Sequence, residues 1–167
     1  MDTGSKSFLN GSEKCQFCTF LIQDRLFGVD ILNVKEVNPE TDFTPIFHAP
    51  KEVCGNVNIR GQIYLVLDLR LILGFPAKPA DDNSRVVLFK AEVGEPFGVL
   101  VDSIGDVVSV AESQIENRRK ADRGSSEQPD RRALDLSDGI CKLKDRLLVI
   151  MNAQNLLSTV ERLGRGK

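Results

Sequence analysis

The sequence has no tryptophan, one tyrosine and one histidine, His48, among its 167 residues. A single imidazole leaves few routes to general acid–base chemistry, because histidine is the side chain that ordinarily titrates near neutral pH. Neither charge sign dominates. The 22 Lys and Arg against 24 Asp and Glu give a formal net charge of −2, which argues against non-specific binding to nucleic acid. Long apolar runs are missing as well: Ile63–Leu67 stops at Asp68 and Arg70, far short of the roughly 18 residues a membrane span needs. The first 14 residues carry no apolar stretch of the signal-peptide kind. No Gly-x-x-x-x-Gly-Lys-Ser/Thr occurs, nor a Gly-x-Gly-x-x-Gly after a strand, so nucleotide binding has no support. These absences point to a cytoplasmic protein that is not an enzyme, with no catalytic residue and no cofactor.

The cysteines and the histidine need separate weighing. Cys15 and Cys18 have zinc-knuckle spacing, but no second Cys-x-x-Cys or His pair completes four ligands. Within CQFCTFLI, which reads as a strand, residues i and i+3 also point to opposite faces. No metal site is therefore expected, and the four cysteines (15, 18, 54 and 141) read as reduced thiols. His48, beside Phe47, would need a nucleophile and an orienting acid to work in catalysis. It reads as a loop histidine.

What the chain does have is an ordinary globular balance, 41% hydrophobic and 28% charged, laid out as short strands. Phe17, Thr19 and Leu21 alternate with Cys18, Phe20 and Ile22, so the first strand has two apolar faces and is expected to be covered on both. Strand patterns follow at Gly55–Leu67, Arg85–Ala91, Phe97–Val110 and Cys141–Met151. Asp68 is placed to cap a helical turn over Leu69–Leu73, with Gly74 at its end. Residues 152–163 carry Leu156, Leu157, Val160 and Leu163 on one helical face. Residues 1–14 and 161–167 read as polar tails, and 116–132, with ten charged residues of seventeen, as a solvated loop.

An internal repeat organises these pieces. Phe27-Gly28-Val29 recurs as Phe97-Gly98-Val99, an offset of 70 that also matches Val34 with Ile104, Glu36 with Asp106 and Val37 with Val107. A second block repeats at an offset of 84: Gly55 with Gly139, Arg60 with Lys144, Leu65 with Val149, Asp68 with Asn152, Ile72 with Leu156 and Leu73 with Leu157. The offsets differ by 14 residues, which the loop at 116–132 would absorb. Two copies of one small β module are expected, lobe one at roughly 15–80 and lobe two at roughly 85–160. Copies this small barely support themselves, so they should share an apolar seam. Glu36 with Arg60, and Asp106 with Lys144, keep the same charge order. They could pair strand to strand in each lobe or contribute to a docking surface.

FGVDILNVKEV (27–37), CGNVNIRGQIYLVLDLR (54–70), FGVLVDSIGDVVSV (97–110) and GICKLKDRLLVIMNAQNLL (139–157) together resemble the CheW family of bacterial chemotaxis adaptors. The resemblance implies an all-β fold of two packed five-stranded SH3-like barrels with a short C-terminal helix. It implies a non-catalytic adaptor coupling a CheA-type histidine kinase, through its regulatory domain, to the cytoplasmic tips of methyl-accepting chemoreceptors, at arrays on the inner face of the membrane. Carried over by position, Gly55, Asn58, Arg60 and Gly61 match the family's central motif, Val34 and Glu36 its preceding strand, and Val107 an apolar position in the second half. The resemblance associates these residues with kinase and receptor docking. Leu65 stands where the family usually has proline. The rival reading is a small-barrel nucleic-acid binder, which would need exposed aromatics beside a basic groove.

Overall fold

The computed structural model describes residues 14–117 and 136–165. Of the expected polar tails 1–14 and 161–167, residues 1–13 and 166–167 lie outside the described residues, as do 118–132 of the charged stretch, whereas Lys14 opens the first strand and 161–165 belong to the C-terminal helix. Eleven strands and two α-helices make up the described fold. They are β1 (Lys14–Ile22), β2 (Arg25–Asp30), β3 (Val34–Asn38), β4 (Val53–Ile59), β5 (Gln62–Asp68), α1 (Leu69–Ile72), β6 (Arg85–Phe89), β7 (Phe97–Val101), β8 (Ser103–Ala111), β9 (Ile115–Asn117), β10 (Ser137–Lys142), β11 (Leu147–Met151) and α2 (Ala153–Arg165).

They form two sheets, one in the order β8-β1-β2-β11-β10-β9 and the other β3-β6-β7-β5-β4. The sheets do not divide the chain near residues 80–85. The β1–β2 hairpin of the first half sits between β8 and β11 of the second, and the β6–β7 hairpin sits between β3 and β5 of the first. The exchange is reciprocal and obeys the repeat. Phe27 pairs in parallel with Val149, and Phe97 pairs in parallel with Leu65; these are the same two stations shifted by 70 and by 84. Parallel strands cannot be joined by a tight turn. Each copy therefore finds its parallel partner in the other copy.

The unequal strand count has a local cause. Thr44 forms a single antiparallel bridge with Asn56 beside β4, the station that β9 fills beside β10. The sixth strand of the smaller sheet has shrunk to one residue.

Three strand patterns that read as continuous are broken. Residues 55–67 and 141–151 are hairpins, and 97–110 splits at Asp102, where the chain leaves one sheet for the other. Apolar periodicity continues across a two-residue turn, so periodicity alone does not reveal these breaks.

The largest core lies between the sheets. Cys18, Phe20, Ile22 and Phe27 from one sheet pack with Leu67, Phe89 and Phe97 from the other, and α2 adds Leu156, Leu157 and Val160. This is the expected seam. Phe20 and Phe97 are fully buried, and burying a side chain of this kind stabilises by about 1.5–3 kcal/mol. Each sheet also keeps a smaller core: Phe17, Leu26, Cys141 and Leu148 in one, and Val57, Tyr64, Val66 and Val86 in the other. The first strand thus has both faces covered, as its alternation predicts. Cys15 packs against the core of its own sheet and Cys18 enters the seam, so the two thiols lie on opposite faces of β1.

Helix caps repeat with the rest. Asp68 Oδ1 accepts from the Leu71 N–H at 3.3 Å, and Asn152 Oδ1 accepts from the Asn155 N–H at 3.1 Å. Gly74 follows α1 at φ 89°, the left-handed conformation in which glycine ends helices most easily. Among the described residues no helix is long and apolar enough to cross a membrane.

Candidate docking site

The hairpin between β4 and β5 turns on Arg60 and Gly61, at φ 51° and 89°. Two consecutive left-handed residues make a type I′ turn, whose twist matches that of the flanking strands. Asn58 braces it: its Oδ1 accepts from the Gly61 N–H at 2.9 Å. Strand alternation would put Gly61 on the face of Val57 and Ile59, but Gly61 and Arg60 are the tip itself, while Val57 and Ile59 enter the core below. Arg60 is held out into solvent, its side chain 69% exposed.

Glu36 meets it there. β3 and β4 are the outer strands of the five-stranded sheet, yet a guanidinium N–H of Arg60 donates to Glu36 Oε1. Lys35 on β3 likewise lies 5.9 Å from the ring centroid of Tyr64 on β5. Contacts between opposite margins curl this sheet toward a barrel. Asn38, two residues along the same strand, donates to Glu36 Oε2 at 3.0 Å. Sequence reasoning passed over Asn38, although its i+2 spacing from Glu36 put both on one strand face.

The Glu36 carboxyl is held below the ordinary carboxylate range, first by the Asn38 hydrogen bond and then by Arg60, against an opposing effect of desolvation. A folded-state pKa below the unfolded one contributes stability that is present above the unfolded value and is lost as pH falls through the folded one. Carbon-13 titration should therefore place the Glu36 midpoint below that of an unstructured peptide. Asn38→Ala and Arg60→Ala should each move it back up. A midpoint at the ordinary value in the wild-type protein would refute this account.

The remaining expected residues are distributed differently. Gly55 is buried, at φ 139°, and a Cβ there would collide with the Thr44 carbonyl and come 3.2 Å from Pro45 Cα. Its task is to let the Thr44 bridge close over β4. Val34 is half-buried against the seam. Val107 is 55% exposed, but on β8 of the other sheet, opposite Cys18. Glu36, Asn58, Arg60 and Gly61 therefore form one cluster, with Val34 packed against the seam and Val107 on a separate sheet. The repeat carries over the charges but not the pairing: among the described residues, Asp106 and Lys144 make no ion pair.

Cys18, Cys54 and Cys141 are poor nucleophiles. Burial raises Cys18 and Cys141, and burial with the nearby Asp68 charge pushes Cys54 up to about 12. A thiol kept protonated at neutral pH does not attack. His48 lies tilted against the neighbouring Phe47 ring, 4.2 Å between centroids.

A protein-family model described as the CheW-like domain matches residues 16–161. The chain belongs to the CheW-like domain family. It is 32% identical over 117 residues to the chemotaxis protein CheW of Rhizobium meliloti, covering 70% of this chain and 73% of that protein. It is 29% identical over 147 residues to the chemotaxis protein CheW of Klebsiella aerogenes, covering 87% and 83%. The crystal structure of the scaffolding protein TtCheW from Thermoanaerobacter tengcongensis superposes with a TM-score of 0.70 at 26% identity, covering 82% of this chain and 88% of that one. An all-β, two-lobed CheW-like architecture with a C-terminal helix is thus common to both. The family match spans both sheets, so the candidate cluster lies within the CheW-like domain.

Proposed function

We propose that this chain is a chemotaxis coupling scaffold, holding a CheA-type histidine kinase and the cytoplasmic tips of methyl-accepting chemoreceptors together, in the cytoplasm at receptor arrays. The observation that carries the reading is Arg60, set on a rigid type I′ tip within a CheW-like domain and held beside Glu36. A guanidinium has five N–H donors in a fixed fork, and most of this one faces solvent. It can therefore take a partner carboxylate or peptide carbonyl while keeping Glu36. The turn is pre-organised, so binding orders little that is not already ordered. The work asked of the protein is binding, and it needs neither cofactor nor metal.

Calorimetry with the isolated kinase regulatory domain, and separately with a receptor-tip fragment, tests the reading. The folded wild-type protein should bind both. Arg60→Ala should weaken binding to at least one of them by about 1–3 kcal/mol, as for an interface hot spot, while thermal melting shifts little. Glu36→Arg combined with Arg60→Glu should restore affinity only if the two residues act chiefly on each other. Full affinity in a folded Arg60→Ala variant would remove the residue from the docking surface, and no binding by wild type would remove the reading.

A further inference from the structure

Arg70 is a charged residue buried where the two sheets meet, its side chain 8% exposed. Its guanidinium reaches three separate segments. One N–H donates to Asp102 Oδ2 at 2.6 Å, another to Gln23 Oε1 at 2.5 Å, and Nε donates to the Pro76 carbonyl at 2.8 Å. Arg70 follows β5 in the five-stranded sheet, Gln23 turns the β1–β2 hairpin of the six-stranded sheet, and Asp102 stands where the chain passes from one to the other. Asp102 closes the ring by accepting from the Gln23 backbone N–H at 2.8 Å. The repeat holds no second copy. The station matching Arg70 is Gln154, which is exposed, and the one matching Asp102 is Leu32, 67% exposed.

Apolar attraction across the seam is strong but non-directional. A buried hydrogen-bond network is directional, and it penalises any pose that leaves its charge unpaired. In a seam built from two near-equivalent copies, a one-sided network of this kind distinguishes one relative pose from others. We propose that the Arg70–Asp102–Gln23 network sets the angle between the two sheets, and that this angle allows both partners of the scaffold to be held at once. The second clause rests on the two-partner reading above. Arg70 is a positioning residue in this account and touches neither partner.

Residual dipolar couplings on the whole chain test the angle. Wild-type amides of both sheets should fit one alignment tensor. In Arg70→Met, which keeps an unbranched apolar stem and removes the guanidinium, each sheet should still fit by itself while the common fit fails. Binding to the kinase regulatory domain alone and to the receptor tip alone should stay within about twofold of wild type, and formation of the three-component complex should fall at least tenfold. A single tensor with the wild-type orientation in Arg70→Met overturns the proposal, as does undiminished three-component assembly. If Arg70→Met does not fold, the same measurements on Asp102→Asn decide. If wild type binds neither partner, the functional reading fails and the couplings still decide the angle.

Discussion

Cut between Pro79 and Asp81, the chain is expected to give two fragments that have no folded monomer apart and that fold when mixed. The first fragment would carry β2 without β11 and β5 without β7, the partners those strands pair with in parallel. It would also expose the seam faces of Phe20, Phe27 and Leu67, and the second would expose those of Phe97 and Leu156. Strand pairs stripped of their sheet are marginal in water, and a bare seam of this kind cannot offset the chain entropy lost on ordering. Amide spectra of each fragment should be collapsed, and a one-to-one mixture should recover the dispersion of the intact protein. A dispersed monomeric spectrum from either fragment alone would show that its half is self-sufficient.

Replacing Gly55 by valine is expected to be the most damaging single substitution among the docking candidates. Two costs add. At φ 139° an L side chain is strained, and the new Cβ meets backbone of Thr44 and Pro45, which cannot swing away as a side-chain tip would. Strained backbone costs on the order of 1–3 kcal/mol, so with the collision a loss of roughly 3 kcal/mol is expected, which in a chain of this size lowers Tm by about 6–12 °C. Gly61→Ala is the control. It too has positive φ, 89°, but its Cβ would meet nothing within 4 Å, so only the smaller conformational cost of about 1 kcal/mol remains. Equal losses at the two sites, read by thermal melting, would show that the Thr44 bridge yields and that closeness is not the issue.

Much of the molecule could be read residue by residue because its signals are local. The two-faced alternation of β1, the cap at Asp68 and the glycine after α1 all follow from spacing along a few residues, whereas Glu36 and Arg60, 24 residues apart, are linked in the sequence only through the repeat. Pairing of distant strands is different. Nothing in the periodicity of Phe27-Gly28-Val29 says that its neighbour is Val149 of the other copy, because any strand with a matching face satisfies the same pattern. The tip at Arg60 was hidden because the type I′ signature usually begins with Asn or Asp, and arginine in that place reads as one more strand residue. Arg70 was hidden because burial of a charge depends on partners drawn from Gln23, Pro76 and Asp102, which meet only in the folded chain.

The reciprocal exchange of hairpins also bears on ancestry. Each copy supplies what the other lacks, so a module made as a separate chain would reach this topology by pairing with its twin about a twofold axis, a closed symmetry that identical surfaces favour. Joining the twins end to end through residues 75–84 would leave the architecture unchanged and end the requirement that both copies mutate together. The matching stations differ in this chain: among the described residues Arg60 keeps its acid and Lys144 does not. A symmetric dimer offers the same face twice, whereas a fused one can offer two different faces, which is what a bridge between unlike partners requires.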